Sequence, residues 1–233
     1  MTVRDFASRV TSVAALAEPV RRALYLYVVG QPRPVSREAA AAAVGVARHV
    51  AKFNLDRLEE EGLLDVEYAR PAGRSGPGAG RPAKLYTRSA RDVEVSLPER
   101  HYDVAAHVMA EAITRSAEEA VPIGEALREA ARDAGHALGA EAKRKAGSRL
   151  SRSSELRLVQ EILADFGYEP NPAEDGFSLA NCPFHALAKA HTTVVCGINL
   201  DLIDSLLTAI APRDLHAELS PSPGACCVRI VKT

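Results

Sequence analysis

The amino-acid sequence predicts a mainly helical chain with smaller α+β parts, and three observations support this fold class. Apolar residues recur at helical spacing through long alanine-rich stretches, while aromatic residues make up only 5% of the chain. Short β-like runs occur after Gly62 and again after Gly167. All four cysteines lie beyond residue 180. A chain of 233 residues with such a change of character fits several domains better than one.

The N-terminal part has the pattern of a helix-turn-helix. Glu18 and Pro19 begin a segment with helical apolar spacing that runs to Val29 and stops at the Gly-Gln-Pro sequence after it. Ser36 then stands at an N-cap position before an alanine run, and Gly45 is a typical helix stop. The next helix is predicted over 46–61, with core positions at Val46, Val50, Leu55 and Leu58.

The opposite side of this last helix is expected to face DNA. A recognition helix presents its first turns to the major groove, and arginine and lysine can bond guanine acceptors or phosphate oxygens. The expected DNA contacts on the two helices are Ser36, Arg48, His49, Lys52 and Phe53.

A hairpin with a glycine- and proline-rich tip follows, with strands predicted at 63–68 and 83–87. From Tyr68 to Arg91, both included, there are six basic residues and no acidic one. Arg74, Arg81 and Lys84 are therefore expected to contact phosphates or a minor groove. A merely solvated, charged hairpin is the alternative interpretation. Together these elements predict a winged helix-turn-helix domain over residues 1–95.

Two alanine-rich helices are predicted next, over 101–120 and 123–145. Val104, Val108, Ala112 and Ile113 are expected on one side of the first. Because two-fold operators favour dimeric proteins, residues 96–150 are interpreted as a helical linker that forms a homodimer.

Residues 151–233 are expected to form a small α+β sensor domain with the cysteines. Its predicted helices are 155–166, 184–190 and 194–210. Its predicted strands lie around Tyr168-Glu169 and at 176–180, 216–219 and 227–231.

The cysteines suggest a metal, cluster or redox site. Thiolates are stabilised by metals and by helix N-termini, and soft sulfur ligands select iron–sulfur clusters, zinc or copper(I). The spacings, with 13 residues between Cys182 and Cys196 and 29 between Cys196 and Cys226, match no zinc-finger pattern. Cys227 follows directly, and His185 and His191 are possible additional ligands. The alternative is that the cysteines are small buried apolar residues.

The chain resembles the winged-helix repressors that regulate iron–sulfur cluster assembly operons, within the ArsR/DeoR-like bacterial regulators. The resemblance rests on the sequences at 50–58, 62–64 and 80–86, and on those around Cys182, Cys196 and Cys227. It implies a homodimer in which three C-terminal cysteines hold an oxygen-sensitive iron–sulfur cluster that sets operator affinity. The implied ligands here are Cys182, Cys196 and either Cys226 or Cys227.

The predicted function is therefore a cytoplasmic DNA-binding transcription regulator, most simply a repressor, that binds a double-stranded operator. No stretch near the N-terminus has the apolar core of a signal peptide, and no membrane association is expected. One alternative replaces the cluster by zinc or by thiol oxidation. A second makes the C-terminal domain an enzyme with a cysteine nucleophile, although the sequence has no glycine-rich phosphate loop or oxyanion motif to support it. The chain is thus expected not to be an enzyme.

Overall fold

The chain forms two compact units, Thr2–Val95 and Ser96–Thr233, and each is described here by itself. The computed structural model describes residues 3–69, 82–147, 150–210, 215–222 and 224–232. Arg74 and Arg81, which are predicted to contact DNA, lie outside these ranges.

Four helices and a three-stranded antiparallel sheet make up the N-terminal unit in its described part. The strand order is β1-β3-β2, and β2 pairs with β3 from Leu64↔Arg88 to Ala69↔Ala83. The elements are α1 (Val3–Ala15), α2 (Pro19–Val29), β1 (Val35–Ser36), α3 (Arg37–Val44), α4 (Arg48–Glu60), β2 (Leu64–Ala69) and β3 (Ala83–Arg88).

The predicted helix-turn-helix and hairpin are confirmed as elements, and their ends follow from local capping. The carboxylate of Glu18 accepts hydrogen bonds from the first amides of α2, and Ser36 Oγ accepts one from the Ala39 amide at the start of α3. Gly45 ends α3 in the left-handed region, with φ of 73°. Helix α1 was not predicted. It packs on α4, where Ser12 Oγ donates a 2.8 Å hydrogen bond to the Glu61 carbonyl.

Five helices and a four-stranded antiparallel sheet, in the order β4-β5-β7-β6, make up the described part of the C-terminal unit. The elements are α5 (Tyr102–Glu119), α6 (Ile123–Ala146), α7 (Arg152–Asp165), β4 (Pro170–Ala173), β5 (Gly176–Leu179), α8 (His185–Ala190), α9 (Thr192–Ile210), β6 (Leu215–Leu219) and β7 (Val228–Lys232).

Helix α9 is the centre of this unit. By length and composition it could cross a membrane, with a mean hydropathy of 1.6, but half of it is buried inside the protein. It packs against α6, α7, α8 and β6. Its apolar residues therefore serve as the core of the unit.

Helix α6 approaches α9 unusually closely. A Cβ atom at Gly135 would lie 2.0 Å from the Leu202 carbonyl oxygen, and one at Gly139 would lie 2.6 Å from that of Leu206. Only glycine allows this distance between two helix backbones. The Ser205 hydroxyl also donates a 2.7 Å hydrogen bond to the Arg132 carbonyl.

This close packing does not follow the predicted boundary at residue 150 between a helical linker and a sensor domain. Helices α5 and α6 share one hydrophobic core with α7, α9 and the second sheet, so residues 96–150 and 151–233 form a single unit in this chain. Dimerisation through residues 96–150 stays a prediction.

Three local predictions were wrong. Tyr168 and Glu169 do not form a strand; Glu169 has φ of 53°, which a strand cannot accommodate, and β4 starts at Pro170. On α5, Val108 and Ala112 are buried as expected, but Ile113 is 63% exposed. Leu55 and Leu58 of α4 are buried as expected, together with Ala51 and Asn54, but Val50 is only half-buried. Val46 is also half-buried and precedes the helix, which begins at Arg48.

Candidate nucleic-acid interface and cysteine cluster

The outer side of α4 presents the residues that the sequence assigns to DNA contact. Arg48, His49, Lys52 and Phe53 are all exposed, and all lie in the first half of the helix. Arg48 forms an ion pair with Glu38 of α3, in which both side chains stay at least half exposed. Because exposed pairs of this kind are weak, the Arg48 guanidinium can exchange Glu38 for another anion. Ser36 is occupied as the N-cap of α3.

The inner side of α4 holds the helix against the rest of its unit. Leu55 and Leu58 are fully buried, and Asn54 is 6% exposed between them and α2. Asn54 Oδ1 accepts a 3.1 Å hydrogen bond from Arg21 Nε, and its amide nitrogen donates one to the Val50 carbonyl. Sequence reasoning missed Asn54, because a polar residue on an apolar helix face has no periodic signal.

A second attachment joins α4 to strand β3. Asp56 Oδ1 accepts 2.8 Å hydrogen bonds from both Tyr86 Oη and Lys84 Nζ, and Lys84 also pairs with Glu59. Burial alone would lower the pKa of Lys84, but its bonds to Asp56 and Glu59 outweigh burial and raise it. Burial likewise acts to raise the pKa of Asp56, and the bonds from Lys84 and Tyr86 outweigh it, so this pKa is lowered.

This attachment changes the interpretation of Lys84. Its side chain is only 18% exposed and its ammonium group already has two carboxylate partners, so it holds β3 to α4 in this structure. A contact between Lys84 and DNA stays a prediction. The strands on either side of the hairpin tip are in register up to Ala69↔Ala83, which fixes where the tip leaves the sheet.

Three of the four cysteines, Cys182, Cys226 and Cys227, lie where β5 ends and β7 begins. The Cys226 amide donates a 2.9 Å hydrogen bond to the Leu179 carbonyl at the end of β5, and Cys182 follows Leu179 by three residues. The thiols of Cys182 and Cys226 are close enough to shift each other's pKa, and the Cys227 thiol also shifts that of Cys226. Cys182 and Cys226 are buried, whereas Cys227 is partly exposed. We refer to these three residues as the thiol cluster.

A buried polar chain supports this cluster. Tyr168 Oη donates a 2.5 Å hydrogen bond to Asn199 Oδ1, and Asn199 Nδ2 donates a 3.2 Å hydrogen bond to Cys226 Sγ. Asn199 is 1% exposed on α9. Sequence reasoning missed both Tyr168 and Asn199, because their role depends on where α9 passes the start of β7.

The surroundings of the thiol cluster keep its two buried members protonated. The neighbouring thiol of Cys226, together with burial, raises the pKa of Cys182. For Cys226 the neighbouring Cys182 thiol acts to lower the pKa, but the Cys227 thiol and burial outweigh it and raise the value to about 11. Arg100 lies nearby, where its guanidinium donates a 2.5 Å hydrogen bond to the Cys182 carbonyl.

The other proposed ligands stand apart from this arrangement. Cys196 is buried on α9, one helical turn before Asn199, and His185 and His191 are exposed. Across the described part of the chain, no three or more cysteine, histidine, aspartate or glutamate side chains are grouped so that they could hold a metal ion.

Comparison with known proteins supports the N-terminal assignment. Residues 16–67 match the family described as a helix-turn-helix domain, which covers α2, α3, α4 and the first part of β2. No curated protein and no solved structure matches the chain. The match supports a winged-helix, DNA-binding transcription regulator, a class that suggests a non-enzyme.

Proposed function

We propose that this protein is a homodimeric repressor that binds a double-stranded DNA operator through the first half of α4 and the β2–β3 wing. One observation supports this most directly: Arg48, His49 and Lys52 are exposed together at the start of the second helix of a helix-turn-helix. In this motif those turns enter the major groove, where cationic side chains meet guanine acceptors and phosphates.

The wing would add contacts on the flanking DNA. Strand β3 is bonded to α4 through Asp56, so the hairpin and the recognition helix act as one body. Arg74 and Arg81 are placed by sequence at the hairpin tip, where they would reach phosphates or the minor groove.

A second copy of the chain is part of the proposal, because a two-fold operator presents two equal half-sites. Helix α5 offers a candidate contact surface, since Ile113 and Tyr102 expose much of their apolar side chains, at 63% and 38%. The two recognition helices would then be spaced about one helical turn of DNA apart.

The effector that would modulate operator affinity is not specified by the DNA-binding elements. The arrangement of the thiols in this structure does not fit an iron–sulfur cluster. The ligand set implied by the family resemblance includes Cys196, but the thiols that lie near Cys226 are those of Cys182 and Cys227. No three-ligand group exists among the described residues. Regulation by a cluster stays a prediction, and no step of the DNA binding proposed here depends on it.

The proximity of Cys182 to Cys226, set by the bond of the Cys226 amide to the Leu179 carbonyl, favours a second candidate effector mechanism, a reversible disulfide. Two thiols and one molecule of a hydroperoxide would give the disulfide, water and the corresponding alcohol or water. The bond would join the segment after β5 to the start of β7, next to Asn199 on α9. Zinc bound by the cysteines is the remaining alternative, and it would require at least one further ligand to move towards them.

The test of DNA binding is selection of a duplex from a random pool with the full-length protein, followed by fluorescence anisotropy on the selected site. The double variant R48A/K52A should lose most of its affinity. The control R128A/K189A removes the same charge from exposed positions in the C-terminal unit and should bind normally. No selectable sequence, or equal losses in both variants, would overturn the proposal.

The effector is tested on protein purified without oxygen, by its visible absorption spectrum and by assays of iron, acid-labile sulfide and zinc. Matched iron and sulfide would support the cluster and require Cys196 to join the other thiols. A colourless, metal-free protein that forms a Cys182–Cys226 disulfide with peroxide, with altered operator affinity, would support the thiol mechanism. A reporter gene under the selected operator determines whether the protein represses.

A further inference from the structure

Phe53 differs from the exposed residues around it on the outer face of α4, because its side chain is apolar. Its side chain is 67% exposed, although the neighbouring exposed residues Arg48, His49 and Lys52 are all polar. Burying a phenylalanine side chain is worth about 1.5–3 kcal/mol, so leaving this ring in water is unfavourable. It borders a concave surface of about 470 Å³ that His49, Lys52 and Arg57 also line. The ring is thus placed to be covered by whatever α4 binds.

The chemistry of the major groove limits what can cover it. The base edges there present hydrogen-bond donors and acceptors, and the single apolar group among them is the 5-methyl of thymine. A phenyl ring placed over a donor or acceptor would remove water from that group and give no hydrogen bond in return, at a cost in affinity. Placed over a thymine methyl, the same ring buries two apolar groups against each other.

The position along the helix agrees with such a contact. Phe53 is the sixth residue of α4 and lies one turn after His49, beside Lys52. A phenyl ring on the same side of α4 as His49 and Lys52 would meet a base next to those that these two residues contact. Among the described residues, the hydrogen bonds that hold α4 to α2 and β3 are made by Asn54, Asp56 and Glu59, and none involves Phe53.

Resting on the proposed function, we propose that Phe53 is a specificity-determining residue that contacts the 5-methyl group of a thymine in each operator half-site. It thereby selects A·T over G·C at one position without a hydrogen bond. Its removal should relax the sequence preference at that position more than it weakens the overall affinity for DNA.

The experiment replaces each thymine of the selected operator by deoxyuridine, which keeps the base pairing and lacks only the methyl group. Dissociation constants are measured by fluorescence anisotropy for the wild type, F53A and the control L26A, which trims an equally exposed apolar side chain on α2. At one thymine per half-site, deoxyuridine should weaken wild-type and L26A binding about fourfold, the factor equivalent to roughly 0.8 kcal/mol for one methyl-sized group. F53A should not distinguish the two bases.

Two results would overturn the inference, and only the second would also overturn the proposed DNA-binding function. If every deoxyuridine substitution changes wild-type and F53A binding by the same factor, Phe53 does not contact a methyl group, while DNA binding itself stands. If the wild type binds no operator at all, the proposed function fails together with the inference. Circular dichroism checks that F53A is folded, which its exposed position leads us to expect.

Discussion

Tyr86 Oη donates a 2.8 Å hydrogen bond to Asp56 Oδ1, which joins strand β3 to the middle of helix α4. Tyr86 is fully buried, and the same carboxylate oxygen accepts a second bond from Lys84. Burial and the bond to Asp56 both raise the pKa of Tyr86, although its bond with Arg37 opposes them, so the phenol stays a donor at neutral pH. The wing strand and the recognition helix therefore move together.

Replacement of Asp56 by asparagine should lower the stability of the N-terminal unit by about 1–3 kcal/mol at neutral pH, because bonds to a charged acceptor are lost. The pKa of Asp56 is lowered in the folded protein, so its stabilisation is present above the pKa of the unfolded chain and is lost as pH falls through the folded value. The difference from wild type should be full at pH 7 and shrink below about pH 4.

The measurement is thermal unfolding followed by circular dichroism at pH 7 and pH 3, with hydrogen exchange to identify the N-terminal unit. The control D92N removes a carboxylate from an exposed position of the same unit and should behave as wild type at both pH values. A deficit of D56N that is equally large at pH 3 would show that the carboxylate charge is not its cause.

Much of this unit could be predicted from sequence because its determinants are local. Ser36, Gly45 and the apolar spacing specify α3 and α4 within a few residues of chain. The partners of Lys84 could not be predicted, because Asp56 and Glu59 come into reach only once β3 is paired with β2 and packed on α4. Its position in a basic stretch suggested a DNA contact instead.

The same distinction applies to the cysteines. Their proximity to element ends could be inferred from the sequence, but which thiols meet depends on how β7 is attached to β5. The Cys226 amide bonds the Leu179 carbonyl, and this places Cys226 beside Cys182. The position of Cys196 is instead determined by helix α9, on which it lies. Sequence spacing has no information on this attachment, since the strands come from distant parts of the chain.

Substitution of Gly135 by alanine should destabilise the C-terminal unit by about 2 kcal/mol or more, as in other overpacked cores. The added Cβ would lie 2.0 Å from the Leu202 carbonyl oxygen, and the obstacle is backbone that cannot rotate away. Helices α6 and α9 would have to separate. Urea unfolding followed by circular dichroism measures the change.

Gly124 gives a matched control within the same helix, because nothing lies within 4 Å of a Cβ built there. G124A should leave stability unchanged or raise it by up to about 1 kcal/mol, since alanine is the better helix former. If G135A proves as stable as G124A, the close approach of α6 to α9 is not as described.

Replacement of Lys52 by alanine should weaken operator binding by about 1–3 kcal/mol if its ammonium group contacts a base. Lys52 is exposed on α4 beside Phe53, so the fold should not change. Affinity is measured on the selected operator and on random DNA of the same length, at several salt concentrations, with K189A as the control for loss of one exposed charge.

A loss confined to the operator would assign Lys52 to base contact. Equal losses on both duplexes, with a salt slope reduced by about one unit, would assign it to a phosphate. Unchanged binding to both duplexes would contradict any placement of Lys52 at the DNA.

Alkylation of the native, metal-free protein should modify Cys227 first. Iodoacetamide reacts with thiolates, and the pKa of Cys226, raised to about 11, leaves almost none of its thiol ionised at pH 8. Cys182 and Cys196 are each only 7% exposed, whereas Cys227 is partly exposed. Peptide mass spectrometry with fragmentation between the adjacent residues 226 and 227 follows the rates, and the urea-unfolded protein should label at all four positions. Modification of Cys226 or Cys182 at the rate of Cys227 in the folded protein would mean that the thiol cluster is open to solvent, and the buried contact between these two thiols would then have to be abandoned.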